Sequence, residues 1–178
     1  ATTLGSNVFQ GCTALESAYI SGFQKAGDQL FKGCTSLNTV EFSTEGMYNV
    51  TGAKIINEEF SVYSGNVTAN ELSMVFGKNT YEGCTGLKEI TINKNITTLG
   101  IGTFTGCTSL ETVNVGPSLK STLNAESFNG CTAMKNVFVD ENNLIFTDMD
   151  GILCKGKVNN ITSIEYCPPV NPIIITDA

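Results

Sequence analysis

Cysteine is the most reactive residue type in this sequence, because its thiolate is a nucleophile and a ligand for soft metals. The chain of 178 residues contains seven cysteines and no histidine. Five of the cysteines lie in a repeated Gly-Cys-Thr tripeptide, namely Cys12, Cys34, Cys84, Cys107 and Cys131. Successive members are 22, 50, 23 and 24 residues apart. A group that returns at a nearly constant interval indicates a structural repeat.

The same spacing argues against metal binding and catalysis. Ligands one repeat apart lie in a line, whereas zinc requires a tetrahedral cluster, so we predict no metal site and no cofactor. Without histidine the chain lacks the commonest general base and the usual partner of a catalytic serine or cysteine. The pair Asp148 and Asp150 lacks the later ligands of a calcium loop. We therefore predict that the protein is not an enzyme and has no catalytic residues.

The residues after each Gly-Cys-Thr predict the element that carries the repeat. Apolar side chains occur at Leu110, Val113 and Val115 in one unit, and the other units match this pattern. Val113 and Val115 are two residues apart, which places both on one face of a strand. The sequence thus predicts one parallel strand per repeat, with neighbouring strands about 4.8 Å apart and return segments that fold back over the sheet.

One complete unit, ITTLGIGTFTGCTSLETVNVGP at 96–117, resembles the BspA-like leucine-rich repeat. This resemblance covers about residues 4–42 and 80–169. It implies an α/β solenoid, a leucine-rich-repeat right-handed superhelix with one short parallel strand per repeat of about 22–24 residues. Most of the chain would be β or irregular return segments, with little helix. The family implies cell-surface or secreted proteins of adhesion and binding, without known catalytic residues.

The whole chain, residues 1–178, is predicted to form a single solenoid. Regular repeats occupy about 4–42 and 80–139, followed by a terminal unit with a hairpin at 140–169 and a strand-like tail at 170–178. Residues 43–79 break the pattern and are either a degenerate repeat or an insertion. We favour the degenerate repeat, because the apolar content, with Phe60, Leu72, Val75 and Phe76, is high for a free loop.

The resemblance assigns a role to the cysteines. It implies that Cys12, Cys34, Cys84, Cys107 and Cys131 point into the solenoid and form a buried column. Distance alone does not exclude disulfides between neighbouring units. Cys154 and Cys167 stand outside this column, on two apolar runs that predict a hairpin. A disulfide between them would cross-link the terminal unit in an oxidising compartment. Because seven cysteines cannot all pair within one chain, at least one thiol is free or intermolecular.

Strand residues that alternate with the buried ones form an outer face, which solenoids use for extended binding. We predict that this face binds a protein or glycan ligand. The candidate residues are Tyr19, Glu41, Glu89, Thr91, Asn114, Asn136 and Phe138. Taken singly, each is also compatible with an ordinary solvated strand position.

Charge and hydropathy limit the other partners. The net charge of −7, without a basic cluster, argues against nucleic acid and anionic membranes. No apolar run approaches the roughly 18 residues of a membrane span. Four Asn-x-Ser/Thr triplets, at Asn49, Asn66, Asn95 and Asn160, are glycosylation candidates if the source is eukaryotic. Together with the family resemblance, these features predict an extracellular or cell-surface protein.

The ends of the chain suggest an alternative function. The sequence begins midway through a unit and ends with an apolar stretch that includes Ile173–Ile175. An open first repeat and a spare strand would suit self-association end to end, and a contact that does not close yields a filament. The alternative is therefore a structural subunit that stacks head to tail into an extracellular filament. A trimmed piece of a longer solenoid would show the same ends.

Overall fold

The computed structural model describes residues 3–43, 53–56, 59–62 and 74–170. It confirms the predicted solenoid, which has about five turns of parallel strands and almost no helix. In chain order the strands are β1 (Thr3–Leu4), β2 (Ser17–Ser21), β3 (Lys25–Ala26), β4 (Thr39–Ser43), β5 (Ala53–Ile56), β6 (Glu59–Val62), β7 (Met74–Val75), β8 (Glu89–Ile92), β9 (Ile96–Thr98), β10 (Thr112–Val115), β11 (Asn136–Val139), β12 (Phe146–Met149), β13 (Ile152–Lys157) and β14 (Asn160–Tyr166). A 3-10 helical turn at Ala125–Phe128 is the helical element of the described residues.

Two sheets run along the solenoid. The return sheet joins β1, β3, β7 and β9 without interruption, and all its pairs are parallel. The other strands of the repeats form a two-stranded sheet, β2–β4, and a three-stranded sheet, β8–β10–β11. We call this second surface the strand face. Along β8 and β10 the apolar side chains, such as Ile90 and Val113, are buried while the residues between them are more exposed, as the alternation predicted.

An aromatic column fills the interior of the solenoid. Its members are Phe9, Phe31, Tyr81, Phe104, Phe128 and Tyr166. Neighbouring ring centroids are 5.3, 5.7, 5.7, 5.6 and 4.4 Å apart, and neighbouring ring planes are within 24° of parallel. Each Gly-Cys-Thr unit supplies one ring from the position that opens its turn, and the terminal unit supplies Tyr166 from β14. Stacking between rings aligns successive units.

The glycine of each Gly-Cys-Thr turn has a left-handed backbone. The φ angles lie between 71° and 80° for Gly11, Gly33, Gly83, Gly106 and Gly130. This conformation costs residues with a Cβ about 1–2 kcal/mol. The glycines also stack on one another, since a Cβ added at Gly130 would lie 3.3 Å from the Cα of Gly106. Both effects explain why this position is glycine in every regular unit.

The contacts between the units on either side of residues 43–79 favour the insertion over the degenerate repeat. The amide of Phe31 donates to the carbonyl of Thr80 at 2.8 Å, and its ring stacks on Tyr81. The unit around Cys84 therefore packs directly on the unit around Cys34, with no repeat between them. Between β4 and β7 in the chain, the described strands β5 and β6 form an antiparallel hairpin. Phe76, which suggested a repeat, is buried as part of the return segment of the following unit.

A different architecture ends the described solenoid. Strands β12, β13 and β14 form an antiparallel sheet, in which β13 and β14 are joined as a hairpin. Tyr166 places its ring on Phe128 and so completes the aromatic column. Asn143 is fully buried, donates to the carbonyls of Gly116 and Leu119, and accepts from the amides of Ile145 and Phe146. The tail residues Ile173–Ile175 lie outside the described residues, so self-association through them remains a prediction.

Candidate binding surface on the strand face

One position recurs on the strand face of every regular unit, seven residues after the repeated cysteine. The residues at this position are Tyr19, Glu41, Thr91, Asn114 and Phe138. We call them the strand-face row. Tyr19 lies opposite Glu41, and Thr91 lies opposite Asn114, which in turn lies opposite Phe138. All five were candidates from the sequence, and the parallel register is what aligns them across the sheets.

Glu89 and Asn136 lie on a neighbouring row, two residues earlier along their strands. Both are in register with Thr112 of β10. The side-chain amide of Asn114 donates to Oε1 of Glu89 at 2.8 Å and lies 3.4 Å from Oγ1 of Thr91. These bonds hold the Asn114 amide across the surface of β8, so its carbonyl oxygen has a defined direction for a ligand.

Aromatic side chains mark the two ends of the strand-face row. Tyr19 is 62% exposed and Phe138 is 46% exposed. Exposed aromatic residues are frequent anchors at binding surfaces, since they bury a large rigid area at a small entropic cost. Phe138 also borders a hollow of about 290 Å³, whose lining includes Asn114 and Asp140. This hollow combines an apolar wall with an amide and a carboxylate.

The strand face is interrupted between β4 and β8. The neighbouring return strands β3 and β7 are paired, but among the described residues no ladder joins β4 to β8. An open groove of about 420 Å³ lies there. Its lining residues are Asn38, Thr39, Val40, Glu41, Glu89, Ile90 and Thr91. We call this opening the strand gap.

The strand gap is acidic. It is bordered by the carboxylates of Glu41 and Glu89, and none of its lining residues is basic. The two ion pairs formed by described residues lie elsewhere and join Lys32 to Glu82 and Lys135 to Glu111. The hydrogen bond and positive charge of Lys135 lower the pKa of Glu111.

The structure buries Cys34, Cys84, Cys107 and Cys131 in a column, whereas Cys12 is exposed. Cys12 differs from the other four because no described unit stacks on the outer side of its turn. Burial raises the pKa of the buried four, to about 12 for Cys84 and about 11 for Cys131. High pKa values oppose formation of the thiolate, which is the form that acts as nucleophile or metal ligand.

The remaining cysteines do not form the predicted disulfide. Cys154 is buried and Cys167 is exposed, and both are free thiols in the structure. Burial is the main reason that the pKa of Cys154 is raised. Cys154 lies on β13 and Cys167 directly follows β14, but only the side chain of Cys154 faces the interior.

The glycosylation candidates differ in accessibility. Asn160 is exposed at the start of β14, whereas Asn95 is half-buried in the turn before β9. Asn49 and Asn66 lie outside the described residues. Of the two described triplets, Asn160 has the more open position for a bulky modification.

Sequence reasoning missed part of the surface. The alternation with buried residues places Thr39 and Asp140 on the outer face, but Asn38 and Val40, which also line the strand gap, were not predicted there. The gap itself has no local sequence signal. Within the described ranges, no group of three His, Cys, Asp or Glu residues could hold a metal ion. The helices of the described chain include none with the length and hydropathy of a membrane span.

Comparisons with known proteins agree with this architecture. A model of the BspA type leucine rich repeat region, in six copies, matches residues 1–66 and 53–173. No curated protein sequence matches significantly.

Several solved structures are similar to this chain, and the first two share its fold. A leucine rich repeat protein from T. pallidum has a TM-score of 0.55 and 19% identity, over 76% of this chain and 50% of that one. The pneumococcal vaccine antigen PcpA has a TM-score of 0.57 and 17% identity, over 96% of this chain and 43% of that one. A leucine-rich repeat protein from Bacteroides ovatus has 26% identity and a TM-score of 0.48, over 76% of this chain and 34% of that one. The chain thus spans about half the length of the first two structures or less.

Proposed function

The chain belongs to the BspA-type leucine-rich repeat family, and on this premise we propose that it is a non-enzymatic recognition module. It acts at the cell surface or outside the cell, where it mediates adhesion by binding a protein or glycan through the strand face. The observation that carries the proposal is the strand-face row, in which two exposed aromatic residues flank polar side chains in register.

The chemistry of the row suits a neutral or cationic partner. Tyr19 and Phe138 offer apolar faces for aliphatic side chains or for the CH groups of a sugar. Asn114, held by Glu89, offers an amide for hydrogen bonds with a hydroxyl or a peptide group. The acidic surface repels nucleic acid phosphates and anionic lipid headgroups. These properties favour proteins and glycans as ligands.

Two further observations support a position outside the cell. One structural neighbour, PcpA, is described as a vaccine antigen. The second is membership of the BspA-type family, whose sequence resemblance implies cell-surface or secreted proteins. Because the chain spans about half of its structural neighbours, the proposal concerns the solenoid region alone.

The test is a binding screen with a matched pair of aromatic variants. The protein is applied to a glycan array and to a panel of immobilised extracellular proteins. The double variant Tyr19→Ala and Phe138→Ala removes both ends of the row. The control replaces Ile101 and Val158, which are 67% and 70% exposed away from the strand face, by alanine.

We expect the row variant to reduce binding of a captured ligand at least tenfold and the control to leave it within twofold. Equal binding by both variants, with unchanged circular dichroism and unfolding midpoints, would contradict the proposal.

A further inference from the structure

At the strand gap, β4 and β8 each have a backbone edge without a ladder partner among the described residues. In the pairs β2–β4, β8–β10 and β10–β11, the corresponding edges form ladder hydrogen bonds. In a parallel sheet, alternate residues direct their N–H and C=O groups to the same side. The amides of Glu111 and Thr112 both bond to the carbonyl of Lys88, which shows that even-numbered residues of β8 face β10. Glu89 and Thr91 therefore face β4. No described residue pairs with their backbone groups.

The edge of β4 that faces β8 also lacks a ladder partner among the described residues. Asn38 and Thr39 donate to the carbonyl of Glu16, so Thr39 and Glu41 direct their backbone groups to β2. Val40 and Phe42 consequently face β8. The carbonyl of Phe42 accepts from the side-chain amide of Asn93 at 3.2 Å, where a strand ladder would supply a backbone amide.

Close contacts limit the strand gap at both ends. At the amino end, a Cβ added to Gly86 would lie 2.7 Å from the carbonyl oxygen of Thr35, so the two units touch there. At the carboxyl end, Asn93 bridges to Phe42. Between these contacts lie about four residues of strand, or roughly 13 Å at 3.3 Å per residue. The opening has the length of one short strand.

The side chains along the strand gap indicate what would pair with these edges. Val40 and Ile90 point towards the core and are partly or fully buried. Glu41 and Glu89 point outwards and are exposed. An added strand would thus place alternate side chains in an apolar layer and in an acidic layer. Its sequence should alternate apolar residues with lysine or arginine.

We propose that the strand gap binds an extended segment of a partner polypeptide, which adds to the edges of β4 and β8 and presents lysine or arginine to Glu41 and Glu89. Main-chain hydrogen bonds supply affinity in this mode of recognition, and alternate side chains supply specificity. The inference rests on the proposed function, since it names a partner class and a subsite within the strand face. It does not require the aromatic residues of the strand-face row.

The test uses a synthetic peptide as the probe. The peptide is Val-Lys-Val-Lys-Val-Lys-Val with blocked ends, and its dissociation constant is measured by titration calorimetry with the full chain. Two matched peptides separate the contribution of charge from that of main-chain hydrogen bonds. The first has glutamate in place of every lysine, and the second has N-methyl groups on alternate amides. We expect binding of the lysine peptide that weakens with salt, and at least tenfold weaker binding of both matched peptides.

Amide hydrogen exchange locates the bound peptide. In the free protein we expect fast exchange at Val40, Glu89 and Thr91, in contrast to the amide of Val113, which faces the paired strand β11. The lysine peptide should slow exchange at the first three at least tenfold. Protection of these amides without peptide would overturn the proposal, because a segment of the same chain would then occupy the gap. Protection that rises with protein concentration would overturn it in favour of a second copy.

Charge variants complete the test. We expect the double variant Glu41→Gln and Glu89→Gln to weaken the lysine peptide at least fivefold. The control Glu126→Gln removes an exposed carboxylate from the 3-10 turn, away from the gap, and should change binding less than twofold. Equal binding by the double variant and the control, or no binding of the peptide, would overturn the proposal. Either result leaves the aromatic-variant screen unaffected, so failure of the gap and failure of the strand-face function are distinguishable.

Discussion

The thiol of Cys107 donates a hydrogen bond to the carbonyl oxygen of Tyr81, with 3.0 Å between Sγ and O. The same contact joins Cys131 to the carbonyl of Phe104 at 3.0 Å and recurs at the two earlier buried cysteines. Each thiol thus bonds to the aromatic residue of the preceding unit. Cysteine suits the position because it is small and apolar yet carries a weak donor.

The first prediction concerns thiol accessibility. In the native protein at pH 8, we expect iodoacetamide to label Cys12 and Cys167, the two exposed cysteines. The other five should react only after unfolding, because burial excludes the reagent and disfavours the thiolate. Mass spectrometry of digested protein gives the labelled positions. Rapid native labelling of Cys107 would contradict the buried column.

The second prediction is a loss of stability at alkaline pH. Burial raises the pKa of Cys84 to about 12 and that of Cys131 to about 11, from an ordinary value of 9.0. A group with a raised pKa contributes its full stabilisation below the unfolded value and loses it as the pH rises towards the folded value. We therefore expect the free energy of unfolding to fall between about pH 9 and pH 11, by up to about 1.4 kcal/mol per pH unit for each thiol.

Urea unfolding under reducing conditions at pH 7, 8, 9 and 10 measures this loss. The variant Cys107→Ala serves as a control, since it removes one buried thiol and should make the alkaline slope shallower. A free energy of unfolding that stays constant from pH 8 to pH 10 would contradict the prediction.

The third prediction concerns Asn143. Its side chain bonds to four backbone groups, at Gly116, Leu119, Ile145 and Phe146, and so links the terminal unit to the preceding turn. We expect Asn143→Ala to lower the free energy of unfolding by at least about 2 kcal/mol, because buried donors and acceptors lose their partners.

Chemical denaturation compares this variant with a neighbouring change of the same type. In the control, Asn142→Ala, the side chain lost is exposed and bonds to Asp140 alone. The control should cost less than about 1 kcal/mol. Equal losses for the two variants would show that Asn143 does not link the units.

The fourth prediction concerns the insertion. The links between β2 and β3 and between β8 and β9 are three residues long. We expect that replacing residues 44–73 by Asn-Lys-Asn, the sequence of the second link, leaves a folded solenoid, because the units on either side already stack on each other. The shorter link should let β4 pair with β8. Slower amide exchange at Val40 and Thr91, without peptide, would show this pairing. A variant that does not fold would contradict the prediction.

Periodicity in the sequence was sufficient to predict the repeat and its strands. The apolar positions of a unit, such as Ile90 and Ile92, are close in the chain, and the period of two directly predicts a buried face. The same reasoning placed Thr91 and Asn114 on the surface. Left-handed backbone at Gly83 is also local, since a turn residue with positive φ favours glycine wherever it occurs.

Contacts between residues that are far apart in the chain could not be predicted from this periodicity. Whether Phe31 stacks on Tyr81 depends on two segments that are far apart in the chain, and the apolar content of the residues between them does not report this contact. Cys12 and Cys107 have the same local sequence, yet one is exposed and the other buried, because burial depends on the unit that packs above.

The sequence by itself thus determined the unit: its length, its strand, its turn and the residues that face inwards. Only the tertiary structure decided which units touch, where the strand face is interrupted and which row of side chains becomes a surface. The physical reason is that strand pairing and ring stacking act between units, whereas the period of apolar residues reports only the face that a single unit must bury.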